Sequence, residues 1–63
     1  MPIIEVKAFA QRFEDEEQVE RLIAGLTDAF CAVAGESVRA ETWVLLSGYP
    51  SSRWGFGGRV RHE

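Results

Sequence analysis

The sequence predicts an α+β fold: a single βαβ unit with two parallel strands, one crossover helix and a short C-terminal hairpin or arm. Three observations predict it. Residues 2–10 alternate like a strand, residues 15–34 carry apolar side chains at helical spacing, and residues 42–47 (TWVLLS) form a compact run of strand formers. Strands joined through a helix run parallel. With 63 residues, the chain is predicted to be one domain, 1–63.

The first strand, PIIEVKAFA, has two different faces. Ile4 and Val6 lie on one of them. Because this face is wholly apolar, we expect it to be well buried. The opposite face is mixed and carries Ile3, Glu5, Lys7 and Phe9.

The helix is predicted to run from about Asp15 to about Ala34, within the usual error on element boundaries. Acidic residues crowd its start, where negative charge complements the positive end of the helix dipole. Gly35 is predicted to end it. A continuous apolar stripe is predicted to face the sheet. Its members are Val19, Leu22, Ile23, Leu26, Phe30 and Val33.

The C-terminal part is predicted to contain a connector, a strand, a turn and a hairpin. The segment ESVRAE reads as a connector with one turn of helix, and TWVLLS reads as a strand buried on both faces. In GYPSS, Gly48 and Pro50 are predicted to break that strand and form a turn. The glycine-rich segment 53–63 is predicted to be a loop and terminal hairpin or arm, with Gly55, Gly57 and Gly58 permitting positive φ.

The uncovered face of so small a sheet predicts an oligomer. One helix covers only one face of two strands, and a chain this short is marginal alone. Yet 46% of its residues are hydrophobic, including two Trp and four Phe. We therefore expect copies of the chain to cover each other's apolar surface.

Composition argues against several classes of protein. Ten acidic and seven basic residues give a net charge of −3, so no nucleic-acid partner is expected. No apolar run approaches the roughly 20 residues of a membrane span, and the start lacks the features of a secretory signal. We expect no membrane association and a cytoplasmic location. One Cys and one His provide neither a disulfide nor a two-Cys, two-His metal site, and no metal is expected.

Three features in order resemble the tautomerase superfamily, specifically short chains like 4-oxalocrotonate tautomerase. They are a proline directly after Met1, Arg12 before an acidic helix start, and WGFGG after an apolar strand. The resemblance covers essentially the whole chain. It implies a homohexamer of tautomerase-like β-α-β chains, a trimer of dimers with sites at subunit interfaces. It also implies cofactor-independent keto–enol proton transfer on a small, carboxylate-bearing 2-oxo acid or enol.

The resemblance also assigns roles to residues. If Met1 is removed, Pro2 becomes a secondary amine and takes the role of general base. Arg12 takes the first-arginine role and can hold a substrate carboxylate with two parallel hydrogen bonds. Trp54 matches the aromatic residue before the glycines and supplies an apolar wall that excludes water. An apolar pocket and a nearby guanidinium both lower the pKa of an amine.

The family's second catalytic arginine has no plain counterpart in this sequence. Counting back from WGFGG places Trp43 at that position, and this is the alignment we prefer. A looser alignment through SVR places Arg39 there, but it requires extra residues in the following turn. Arg39 and Arg53 are the candidates to bind substrate in its stead.

Two alternatives to a tautomerase stay open. The chain could be a non-catalytic or accessory subunit of a mixed tautomerase-like oligomer, having lost the second arginine. It could also be a proline-dependent hydratase or dehalogenase acting on an unsaturated acid.

Overall fold

The computed structural model describes residues 1–60 and has the element order that the sequence predicts. The final residues of the predicted C-terminal arm, 61–63, lie outside the described residues. Three short 3-10 segments separate the regular elements. In chain order the elements are β1 (Ile3–Phe9), the first 3-10 segment (Ala10–Phe13), α1 (Glu16–Ala34), the second 3-10 segment (Glu36–Glu41), β2 (Trp43–Tyr49), the third 3-10 segment (Ser51–Arg53), β3 (Gly55–Phe56) and β4 (Arg59–Val60).

β1 and β2 form a two-stranded parallel sheet, joined through α1. The register places Ile3 opposite Trp43 and Phe9 opposite Tyr49. Hydrogen bonding begins just before β1, where the Trp43 backbone N–H donates to the Pro2 carbonyl oxygen at 3.0 Å. The predicted α+β fold is confirmed, and Pro2 lies beside Trp43 at the start of the sheet.

Both ends of α1 are fixed by local side-chain and backbone signals. The Asp15 carboxylate accepts hydrogen bonds from the backbone N–H groups of Glu17 at 3.0 Å and Gln18 at 3.3 Å, which caps the first turn. Gly35 adopts φ 107° and donates to the Cys31 carbonyl at 2.8 Å. The predicted helix is therefore confirmed. No helix within residues 1–60 combines the length and the apolar content needed to cross a membrane.

The predicted continuous stripe on α1 is wrong in its C-terminal half. Val19, Leu22 and Leu26 are half-buried, whereas Val33 is 91% exposed. Cys31, which lies off that stripe, is buried instead, with 2% exposure. α1 contacts the second 3-10 segment as well as β2, so its apolar side chains do not all face the sheet.

The prediction that β2 is buried on both faces is also wrong for the single chain. Trp43 is 52% exposed and Leu45 is 46% exposed, because the chain supplies one helix and covers one side of the sheet. We call the uncovered side the open face. By strand alternation and register its members are Ile3, Glu5, Lys7 and Phe9 of β1 and Trp43, Leu45, Ser47 and Tyr49 of β2.

Gly48 lies inside β2, where the sequence predicts a strand breaker. A Cβ atom at this position would lie 2.9 Å from the Cα of Ala10 and 3.3 Å from Cδ2 of Phe13. The glycine therefore allows the first 3-10 segment to pack directly across β2. The strand continues to Tyr49, and the turn starts at Pro50.

The C-terminal hairpin has the two-residue turn that its glycines favour. Gly57 and Gly58 adopt φ 59° and 88° between β3 and β4, and positive φ at both positions is typical of a type I′ turn. The prediction is confirmed for these two residues. Gly55 lies in β3 without positive φ.

The single chain buries little of itself. Its radius of gyration is 14.5 Å, whereas a compact domain of this length has a radius of about 10.6 Å. Its accessible surface is 4922 Å², against about 4,100 Å² expected for a monomer of its mass. The excess, roughly 800 Å², is about what one partner buries in a standard protein–protein interface. The surface thus resembles that of a subunit taken out of an assembly.

Candidate active site

The candidate residues divide between the two ends of the sheet. Pro2 precedes β1, whereas Arg12, Arg53 and Trp54 follow the C-terminal ends of the strands. A strand rises about 3.3 Å per residue, so the seven residues of β1 separate the two groups by roughly 20 Å. One chain therefore does not bring Pro2 together with the other candidates.

Pro2 is half-buried, and Met1 before it is 70% exposed. While Met1 is attached, the Pro2 nitrogen is an amide without basicity. Removal of Met1 turns the same atom into a secondary amine at a position fixed by the bond from Trp43.

The open face near Pro2 is apolar. Ile3 and Trp43 are each 52% exposed there, and Leu45 follows along β2. The first ionisable residue of β1 is Glu5, an acid. This end of the chain is therefore better suited to contact an apolar group of a ligand than to bind a carboxylate.

The opposite end of the sheet contains a groove of about 270 Å³. We call it the Trp54 groove. It is lined by Lys7 of β1, by Tyr49 of β2 and by the segment Arg53, Trp54 and Gly55. It combines two cations with two aromatic rings, which suits a small unsaturated acid.

The indole of Trp54 is held in place by three contacts. Its ring lies 4.2 Å from that of Phe9, centroid to centroid, with an angle of 31° between the planes. The Tyr49 ring meets it edge-on at 6.5 Å and 84°. The indole N–H donates to the Tyr49 carbonyl at 3.2 Å. Because its one polar atom is engaged, Trp54 presents a rigid apolar surface to the groove.

Arg12 and Arg53 are exposed cations at this same end of the sheet. Arg12 lies in the first 3-10 segment, which the close contact at Gly48 holds against β2. Arg53 ends the third 3-10 segment and borders the groove. Neither guanidinium forms an ion pair within the part of the chain that the structure describes.

Arg39 is engaged elsewhere. Its Nε and Nη2 donate to the two carboxylate oxygens of Glu36 at 2.8 and 3.0 Å, and its Nη1 donates to Asp28 of α1 at 2.8 Å. The hydrogen bond from Arg39 lowers the pKa of the Glu36 carboxyl below its ordinary value. The structure thus places Arg39 in the connector, bound to α1, and does not bring it to the Trp54 groove.

Lys7 and Tyr49 line the Trp54 groove, and the sequence reasoning named neither as a candidate. Lys7 looked like a solvated position on a mixed strand face, and Tyr49 looked like part of a turn. The signal that was available is the alternation of β1, which places Lys7 on the same face as Phe9. Only the contact between Phe9 and Trp54 shows that this face leads into a groove.

Comparison with known proteins gives one match. Residues 2–63 match the family model described as "Tautomerase enzyme", and the match spans every element from β1 to β4. No curated protein matches the chain.

Proposed function

This chain belongs to the tautomerase family, and we propose that it is a cofactor-independent isomerase that interconverts the keto and enol forms of a small 2-oxo acid. The observation that supports this most is the place of Pro2. It lies half-buried directly before β1, and its carbonyl oxygen accepts a hydrogen bond from the Trp43 backbone N–H.

The proposed base is the Pro2 amine after removal of Met1. It takes the proton from the enol hydroxyl and returns it to the neighbouring carbon, so that a C–H bond and a C=O bond replace O–H and C=C. A free α-amine titrates near pH 7.7–8.0, and apolar surroundings lower that pKa towards neutrality. A base with a pKa near the working pH is well matched to proton transfer.

We propose that two chains form each site. Pro2 and the Trp54 groove lie at opposite ends of the sheet, and among residues 1–60 both strands of the parallel sheet have an unpaired edge. Antiparallel pairing of two copies at such an edge places Pro2 of one chain near the groove of the other. Together with the family resemblance, this favours a homohexamer, a trimer of dimers. We also propose that the protein is located in the cytoplasm.

The proposed contacts to substrate follow from charge. Arg12 and Arg53 bind the carboxylate, and Trp54 covers the unsaturated part of the molecule and excludes water. Trp43, not an arginine, lies beside Pro2. This favours a substrate with one carboxylate and an apolar body over a diacid.

The test is the rate of ketonisation of phenylenolpyruvate by the wild-type chain and by Pro2→Ala. We expect the variant to lose roughly 100-fold or more in kcat/KM, the lower range for loss of a general base, while circular dichroism and native mass stay unchanged. Intact mass on the same samples shows whether Met1 is absent. Equal rates for both proteins would exclude Pro2 as the base.

Trp43 also keeps a second candidate open, the accessory subunit of a mixed oligomer. A hexamer without Met1 that shows no activity on phenylenolpyruvate or a 2-hydroxy-dienoate would favour that candidate. Product carrying added water, or release of halide from a halogenated acid, would favour the hydratase or dehalogenase instead.

A further inference from the structure

The Trp54 groove contains a cation that none of the assigned roles uses. Lys7 lies near the middle of β1 on the open face, opposite Ser47 in the register, and borders the groove together with Arg53. Within residues 1–60 neither Lys7 nor Arg53 forms an ion pair. Arg39, by contrast, has three nitrogens bound to acids.

Two unpaired cations in one groove create a place for an anion. The guanidinium of Arg53 can donate two parallel hydrogen bonds to a carboxylate, and the ammonium of Lys7 acts as a compact point charge. If copies of the chain cover the open face, Lys7 loses water there. A cation removed from water is costly unless an anion pairs with it. Assembly therefore strengthens the attraction of this groove for an acid.

The aromatic side chains of the groove determine which group can carry the carboxylate in a ligand that binds there. Trp54 is held by the Phe9 ring and by its bond to the Tyr49 carbonyl, so its surface needs no rearrangement when a flat group stacks on it. A volume of about 270 Å³ lies just below the usual range for ligand pockets, about 300–1,000 Å³. The groove thus fits a single-ring or short conjugated acid.

We propose that Lys7 is a further binding residue for the 2-oxo acid in the Trp54 groove, where its ammonium joins the guanidinium of Arg53 at the carboxylate and the adjacent carbonyl oxygen. Lys7 is then a substrate-binding residue that selects for the acid. This inference rests on the proposed function for the reaction that follows binding. Its test does not depend on that reaction.

The probe is benzoylformate, a 2-oxo acid with an aromatic ring and no hydrogen that can enolise. Acetophenone keeps the ring and the carbonyl group but lacks the carboxylate. Titration calorimetry measures binding of both to the wild-type protein, to Lys7→Met and to Lys7→Arg. Arg21→Met on α1 is the matched control, because it also removes one positive charge from an exposed side chain.

We expect benzoylformate to bind the wild type at least about tenfold more tightly than Lys7→Met, the range for loss of a hydrogen bond to a charged group. The affinity of Lys7→Arg and of Arg21→Met for benzoylformate should remain within about threefold of the wild-type affinity. Lys7→Arg keeps the positive charge in the groove, and Arg21→Met removes a charge on α1, outside the groove lining. Acetophenone should bind weakly and show no dependence on Lys7.

Three results would overturn the proposal: no binding of benzoylformate, equal binding by Lys7→Met, or equal affinity for acetophenone. If Lys7→Met does not fold, Lys7→Gln takes its place, and binding of benzoylformate by Lys7→Gln equal to that of the wild type decides against the proposal as well. Binding and rate measured on the same wild-type protein, with Met1 removed, separate the two proposals. Lys7-dependent binding of benzoylformate by a wild-type protein that shows no tautomerase rate would uphold the groove and reject the proposed function. A proline-dependent rate with the same KM in Lys7→Met as in the wild type would support the proposed function and reject the proposed role of Lys7.

Discussion

Gly48→Ala tests the contact that positions the first 3-10 segment and Arg12. The new Cβ atom would lie 2.9 Å from the Cα of Ala10, about half an ångström inside ordinary van der Waals contact, and 3.3 Å from Phe13. The Ala10 atom belongs to the backbone, so the whole segment must shift. Overpacking of this kind typically costs about 1–3 kcal/mol, and we expect a loss of free energy of unfolding in that range.

The assay is urea denaturation followed by circular dichroism, at one fixed chain concentration because assembly makes apparent stability depend on concentration. Gly25→Ala is the matched control. It adds the same methyl group in α1, where no atom lies within 4 Å. Because alanine is the better helix former by about 0.8–1 kcal/mol, this control should be stabilised.

The two glycines should therefore shift the unfolding midpoint in opposite directions. Gly48→Ala should also raise KM for the acid substrate, since Arg12 moves with its segment. A Gly48→Ala chain as stable as the wild type would refute the reasoning, because the first 3-10 segment would then not be held against β2 as the structure shows.

Two further predictions concern the second 3-10 segment and the groove. Arg39 lowers the pKa of Glu36, so this pair stabilises the fold above the ordinary value of 4.5 and the contribution is lost as pH falls through the lowered value. Thermal melts should show wild type and Arg39→Gln differing most at neutral pH and converging below about pH 4.5; a gap that stays constant down to pH 3 would count against the assignment. Trp54→Leu should lower the free energy of unfolding by about 1 kcal/mol through loss of the ring contacts with Phe9 and Tyr49, and steady-state kinetics should show KM rising more than kcat falls. An unchanged KM would remove Trp54 from the substrate contacts.

Local signals in the sequence were enough to predict the elements and their order. Gly35 ends the helix as predicted, and Asp15, predicted only as part of the acidic helix start, accepts hydrogen bonds from backbone N–H groups two and three residues along the chain. The hairpin follows in the same way, since Gly57 and Gly58 need no partner elsewhere in the chain to adopt positive φ. These features depend only on residues that are close together along the chain, and they can therefore be predicted from a single sequence.

The burial of particular residues could not be predicted because it depends on packing between distant segments. Val33 has the spacing of a core residue, but it is 91% exposed in the single chain. Gly48 looks like a strand breaker until Ala10 is seen to pack across it. Trp43 and Leu45 have a buried strand's composition, and the single chain provides nothing to cover them.

The same distinction applies to the candidate site. Pro2, Arg12 and Trp54 were found from their order and spacing, as features of a family resemblance. Lys7 was missed because its significance comes from Arg53 and Trp54, which lie more than forty residues away along the chain. Arg39 was kept as a candidate because its sequence alone does not show the bonds to Glu36 and Asp28.

The most direct test of the central claim removes Met1 and leaves every other residue unchanged. Two proteins are made by chemical synthesis, one covering residues 1–63 and the other residues 2–63, and their kcat/KM for phenylenolpyruvate is measured across pH 5 to 9. We expect the shorter chain to be active, with a rate that rises through the pKa of a free amine, and the longer chain to be inactive although it folds and assembles equally well. Equal activity of the two chains would contradict the account, because the Pro2 nitrogen is an amide in the longer one and cannot act as a base.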